Sequence, residues 1–89
     1  MSRRGEQWIE FSREVFAHVE KYTVPQYGDM PNDLASRFSA ADIKASIDRY
    51  VCRIGTNRRG VGEAKRDALK IAHYACMLYA CLLEEEDAT

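Results

Sequence analysis

Proline and glycine are scarce, with two and five copies in 89 residues, which excludes a linker-like or low-complexity chain. Cysteine is sparse and odd in number: Cys52, Cys76 and Cys81 leave one thiol over in any intrachain pairing. Cys76 and Cys81 are also spaced to point to different sides of one helix. A disulfide framework is therefore not expected, and a reducing, cytoplasmic setting is the expectation. No hydrophobic run reaches the roughly 18 residues needed to cross a bilayer; the longest runs from Ala75 to Leu83. The polar stretch Met1 to Gly5 is followed by no apolar leader segment, so no secretory signal is expected. A dominant charge of one sign is missing too. The formal net charge of -1 excludes a strong global attraction to nucleic acid or acidic membrane and leaves only local patches to consider.

What is present is an ordinary domain composition, 46% apolar and 30% charged, enough for one domain over residues 1–89 with one modest core. A chain of this size buries roughly 60 to 65% of its extended surface, so a partner or a second copy is expected to share in its stability.

Helical periodicity accounts for most of the length. Trp8, Phe11, Val15, Val19 and Tyr22 recur on one side of a first amphipathic helix, flanked by Ile9 and Phe16, and Thr23-Val24-Pro25 is expected to end it. The stretch from Pro25 to Arg37 reads as an ordered connection. In it Gly28-Asp29 makes a turn, Pro31 stiffens a bend and Asn32 caps a brief helical piece, with Tyr27, Met30, Leu34 and Phe38 as anchors. Ser39 and Asp42 have the spacing of a capping box, and Phe38 and Ile43 that of a hydrophobic staple. A second helix follows, with Ile43, Ile47, Tyr50, Val51 and Ile54 on one face, Cys52 opposite and Gly55 as the stop.

The third helix is expected from about Val61 or Glu63 to Leu83. Its main apolar stripe includes Val61, Ala68, Ile71, Ala75, Tyr79 and Leu83, and its first half has a polar back of Glu63, Arg66, Asp67, Lys70 and His73. In the second half Tyr74, Met77 and Cys81 make that back apolar, and a helix apolar nearly all round is normally covered on both sides. The fold class that follows is all-α, a small three-helix bundle or a helical homodimer, with Tyr74, Met77 and Cys81 as the expected dimer interface. The acidic run Glu84 to Asp87 opposes the helix dipole, so fraying or a basic partner is expected there.

Charge is unevenly placed. Residues 44–70 carry a local charge of +5. Arg49 and Arg53 on the second helix, Arg58 and Arg59 in the connection, and Arg66 and Lys70 on the third helix are expected to surround one mouth, with His73 beside them. Arginine forks near a helix amino terminus and the close approach allowed by Gly60 and Gly62 suit a phosphate group. The same cluster also reads as a solvated surface paired with local acids, or as a dock for an acidic protein; the segment lacks the P-loop pattern.

Catalytic residues are not identifiable. His73 could accept a proton, with Glu63 and Asp67 on neighbouring faces, but no nucleophile or orienting carboxylate accompanies it. His18 sits on the border of the first helix and is less informative. Glu63 and Asp67 are four apart and could touch one magnesium ion, yet Arg66 and Lys70 make ordinary helix ion pairs the simpler reading. Cysteine and histidine spacing does not fit zinc. No cofactor and no metal site are assigned. Tyr27 or Tyr50 would stack a base if exposed, so a nucleotide or a short single-stranded nucleic acid suits the cluster better than duplex DNA.

The segments Tyr22-Thr23-Val24-Pro25-Gln26-Tyr27-Gly28-Asp29, Ile47-Asp48-Arg49-Tyr50 and Arg66-Asp67-Ala68-Leu69-Lys70-Ile71-Ala72-His73-Tyr74-Ala75 resemble small phage- or prophage-associated helical proteins, some loosely similar to helical domains associated with nucleotide modification. The resemblance implies a nucleotide-related role. All-α nucleotide pyrophosphatases carry several helix-borne acids for magnesium, whereas this sequence offers Glu63 and Asp67 without a second clear acidic pair. The expectation is a noncatalytic binding or regulatory module for a phosphate-bearing ligand or an acidic protein surface. The alternative is a nucleotide-handling enzyme whose acidic groups are completed by an oligomer.

Overall fold

A computed structural model describes residues 1–29, 39–56 and 60–88. Among them there is helix and no strand, as an all-α fold requires. Pro31, the Asn32 cap, the anchors Met30, Leu34 and Phe38, and the cations Arg58 and Arg59 lie outside the described residues.

Helix α1, Arg3–His18, starts five residues before Trp8, the first of the apolar series. Ser2 is the reason: its side chain accepts a hydrogen bond from the Gly5 N–H at 3.0 Å, satisfying one of the free donors of the first turn. Pro25 does not end the helical path as expected. Val19–Thr23 forms a π-helical turn and Val24–Tyr27 a final α turn, α2. A proline inside an α-helix clashes with the carbonyl four residues back and lacks the donor for it. Here the wider turn immediately precedes Pro25, which then occupies the first turn of α2, where its missing N–H costs nothing. Gly28 stops the chain with φ at 91°, a backbone region that glycine adopts freely.

Helix α3, Ala40–Gly55, begins as the sequence predicts. Ser39 Oγ accepts from the Asp42 N–H at 3.2 Å, and Asp42 Oδ2 accepts from the Ser39 N–H at 3.1 Å. Cys52 is exposed, also as expected.

Helix α4, Val61–Ala88, is 28 residues long, about 42 Å at the usual rise. It runs through the acidic segment Glu84 to Asp87, where fraying or a basic partner is expected, without a break in the helix. It is the spine of the molecule, with α3 packed along it and α1 leaning on it less extensively. Ile43 is the one fully buried apolar side chain among the described residues, and Asp67 is equally buried.

That burial corrects the expected orientation of α4. Of the side read as a polar back, Asp67 is drawn against α3, where Arg53 reaches it, and beside it Tyr50 meets Tyr74 with ring centroids 5.7 Å apart. Of the expected core stripe, Ala64, Ala68, Ile71, Ala72 and Leu78 are half-buried, while Val61, Ala75, Tyr79, Leu82 and Leu83 are exposed. Periodicity identifies both faces, but partners on another helix decide which one the chain covers. On α1, Ile9, Phe11 and Val15 are half-buried, while Trp8 and Phe16 remain exposed.

Candidate functional site: a basic, tyrosine-walled cleft

The spacing of Glu63, Arg66, Lys70, His73, Tyr74 and Met77 places them on one side of α4, and all six line a single cleft of about 340 Å³. The opposite wall comes from the end of α1, the π turn and α2, which supply His18, Tyr22, Thr23, Gln26 and Tyr27, and Tyr50 of α3 closes one side. The break in helical register before Pro25 thus belongs to the site, since it sets where Tyr22 and Tyr27 face α4.

Of the cations expected to share one mouth, Arg66, Lys70 and His73 are brought together here. Arg49 and Arg53 are not on the cleft lining. Their guanidinium groups lie 5.5 and 5.2 Å from the Tyr50 ring centre, and Lys70 Nζ lies 5.5 Å from it, so one tyrosine is bordered by three cations. Arg53 is further committed by donating from Nε to Asp67 Oδ2 at 3.0 Å and from Nη2 to Asp67 Oδ1. That hydrogen-bonded carboxylate holds the Arg53 pKa above its ordinary value.

The remaining pairs are looser. Arg66 Nη1 donates to Glu63 Oε1 at 3.2 Å with most of its side chain in water, and Lys70 Nζ stands 4.0 Å from Asp67 Oδ1. Both cations can therefore turn toward an anion at little cost. Asp67, expected on the surface beside Glu63, is buried and gripped by Arg53, so the two carboxylates do not share an open metal position. Among the described residues no three His, Cys, Asp or Glu side chains gather as a metal-binding group.

Sequence reasoning undervalued His18. It packs on Tyr22 with ring centroids 5.2 Å apart and shares the cleft with His73, whose ring is 6.2 Å from that of Tyr74. Burial, then Lys70 and Arg66, push the His18 pKa down; burial, then His18, does the same to His73. Both imidazoles are thus biased to the neutral form by an environment that already holds positive charge. Burial and the neighbouring Tyr50 push the Tyr74 pKa up, keeping its hydroxyl protonated. The available signal for His18 was its spacing of four from Tyr22, which made sense only once α1 was seen to lie against α4.

Tyr74 and Met77, expected to meet a second subunit, line this cleft, and Cys81 is half-buried. Among the described residues no helix is long and apolar enough to cross a membrane. No protein-family model, curated protein or solved structure matches the chain.

Proposed function

We propose that the protein is a noncatalytic binding module that takes a phosphate-bearing small molecule into the cleft between the π turn and α4. The observation that carries this reading is the convergence of Arg66, Lys70, His18 and His73 on one concavity walled by tyrosines. Two permanent cations supply charge-assisted hydrogen bonds to phosphate oxygens, and neutral imidazoles add donors that become cationic when an anion arrives. Tyr22, Tyr27, Tyr50 and Tyr74 offer aromatic surface for a planar ring. The volume suits a small ligand and favours a nucleotide over duplex nucleic acid. The loose resemblance to helical domains associated with nucleotide modification points the same way. The enzymatic alternative has weaker support, because Asp67 is occupied by Arg53 and leaves Glu63 as the acid on the cleft lining.

Isothermal titration with pyrophosphate, AMP and ATP tests the proposal. Arg66→Gln and Lys70→Gln are each expected to weaken binding about tenfold while helicity is retained. Wild-type protein that binds none of these anions at millimolar concentration, with no shift of the His18 or His73 ring resonances, overturns it.

A further inference from the structure

The cleft differs from one end to the other. Along α4 its lining begins with Glu63, Arg66 and Lys70 and continues to Tyr74 and Met77, and the usual helical rise sets Tyr74 about 12 Å beyond Arg66. The facing wall is graded in the same sense. His18 stands by the cations, since its pKa is pushed down by burial and then by Lys70 and Arg66. Tyr27 stands by the far end, where it joins burial and Tyr50 in pushing the Tyr74 pKa up. Among the described residues Arg66 and Lys70 are the permanent cations of the lining. One end of the cleft is therefore charged and the other aromatic.

We infer, on the reading of the cleft as a phosphate site, that its ligand is a free nucleoside monophosphate, with the phosphate between Arg66, Lys70 and His18 and the base against Tyr27 and Tyr74. Three observations select this class. The first is charge: two permanent cations balance the charge of about -2 on one phosphate monoester. Glu63 lies at the same end, its Oε1 3.2 Å from Arg66 Nη1, and repels the additional charge of a di- or triphosphate. The second is the surface at the other end. Tyr27 is 47% exposed, an aromatic ring that a stacked base would cover, and Gln26 beside it on the lining carries an amide able to donate and accept at a base edge. The third is size: a volume of about 340 Å³ is near the lower end of small-molecule sites, which favours one ring, one sugar and one phosphate over a longer chain.

Isothermal titration in magnesium-free buffer with inorganic phosphate, ribose 5-phosphate, AMP and ATP reads the outcome. AMP is expected to bind about tenfold more tightly than ribose 5-phosphate, and ATP no more tightly than AMP. Tyr27→Leu, with circular dichroism to confirm folding, should weaken AMP binding about fivefold to tenfold and leave inorganic phosphate unchanged, whereas Lys70→Gln should weaken both. In NMR spectra inorganic phosphate should move the His18 ring resonances and not those of Tyr27, and AMP should move both. The inference is overturned if AMP binds no better than ribose 5-phosphate, if ATP binds more tightly than AMP, or if a folded Tyr27→Leu binds AMP as wild type does. In each of these cases the cleft still takes phosphate, and the broader reading stands. A 5′-phosphorylated trinucleotide that binds more tightly than AMP overturns the free nucleotide as ligand. Protein that binds none of the four anions removes both readings. The wild-type ligand series decides the matter by itself should Tyr27→Leu fail to fold.

Discussion

Asp67 has no exposed surface, and its carboxylate accepts from two donors along one edge of the Arg53 guanidinium, Nε and Nη2, across the α3–α4 contact. The two partners stand differently toward water: a third of the Arg53 side chain is exposed, and almost none of Asp67. Loss of the arginine removes the two close donors of a buried carboxylate, with Lys70 Nζ 4.0 Å away, whereas loss of the carboxylate leaves a cation that water can still reach. Arg53→Met is therefore expected to lower the urea midpoint more than Asp67→Asn does. The double change Arg53→Met with Asp67→Leu should recover much of the loss by replacing the pair with apolar contact. Equal losses from the two single variants would refute this asymmetry.

The Ser39–Asp42 capping box makes a smaller, local prediction. Both reciprocal hydrogen bonds are formed, so Ser39→Ala should reduce stability by about 0.5 to 2 kcal/mol. Ser39→Asp should keep most of it, since a carboxylate at the cap also accepts from the first turn. Denaturant unfolding of the two variants side by side checks the order.

The capping box also marks how far sequence alone carries the fold. The box, the stop at Gly55, the exposure of Cys52 and the all-α class follow from signals within a few residues of one another, and all are found. Other features depend on partners remote in sequence. Asp67 sits among Glu63, Arg66 and Lys70, which suffices for surface ion pairs, and nothing local says that Arg53 draws it into the interior. The two faces of α4 compete in the same way, and the Tyr50–Tyr74 contact decides between them. Pro25 was read by the rule for a regular α-helix, which the π turn before it evades. Arg66, Lys70 and His73 were legible as a group because they share one helix face; His18 and Tyr22 join them only through the packing of α1.

Two glycines should respond to alanine with opposite signs. Gly28 has φ 91° and ψ 172°, a region essentially closed to side chains, so Gly28→Ala is expected to cost about 1 to 3 kcal/mol. It should also disturb Tyr27 and weaken ligand binding. Gly62 lies in the first turn of α4 with nothing within 4 Å of an added methyl group, and Gly62→Ala should stabilise by about 0.5 to 1 kcal/mol. Thermal unfolding of both variants is sufficient to test the pair of signs.

The cleft histidines predict how pH acts on stability and binding. Arg66, Lys70 and Glu63 face them from α4, with Tyr22 beside His18 and Tyr74 beside His73. Both histidine pKa values are lowered from 6.5 in the folded chain. Below that value the unfolded chain takes up protons sooner than the folded one, so stability is full above pH 6.5 and declines as pH falls through the folded values. An anion in the cleft favours the imidazolium form and opposes that decline. Sulfate, whose charge does not change over this range, should bind more tightly as pH drops from 7.5 toward 5.5, roughly the span in which histidine titrates, and should protect the protein most at the acidic end. His18→Gln together with His73→Gln is expected to flatten both dependences while leaving Arg66 and Lys70 to bind with constant affinity. A sulfate affinity that is independent of pH in the wild type would separate the two imidazoles from the ligand site.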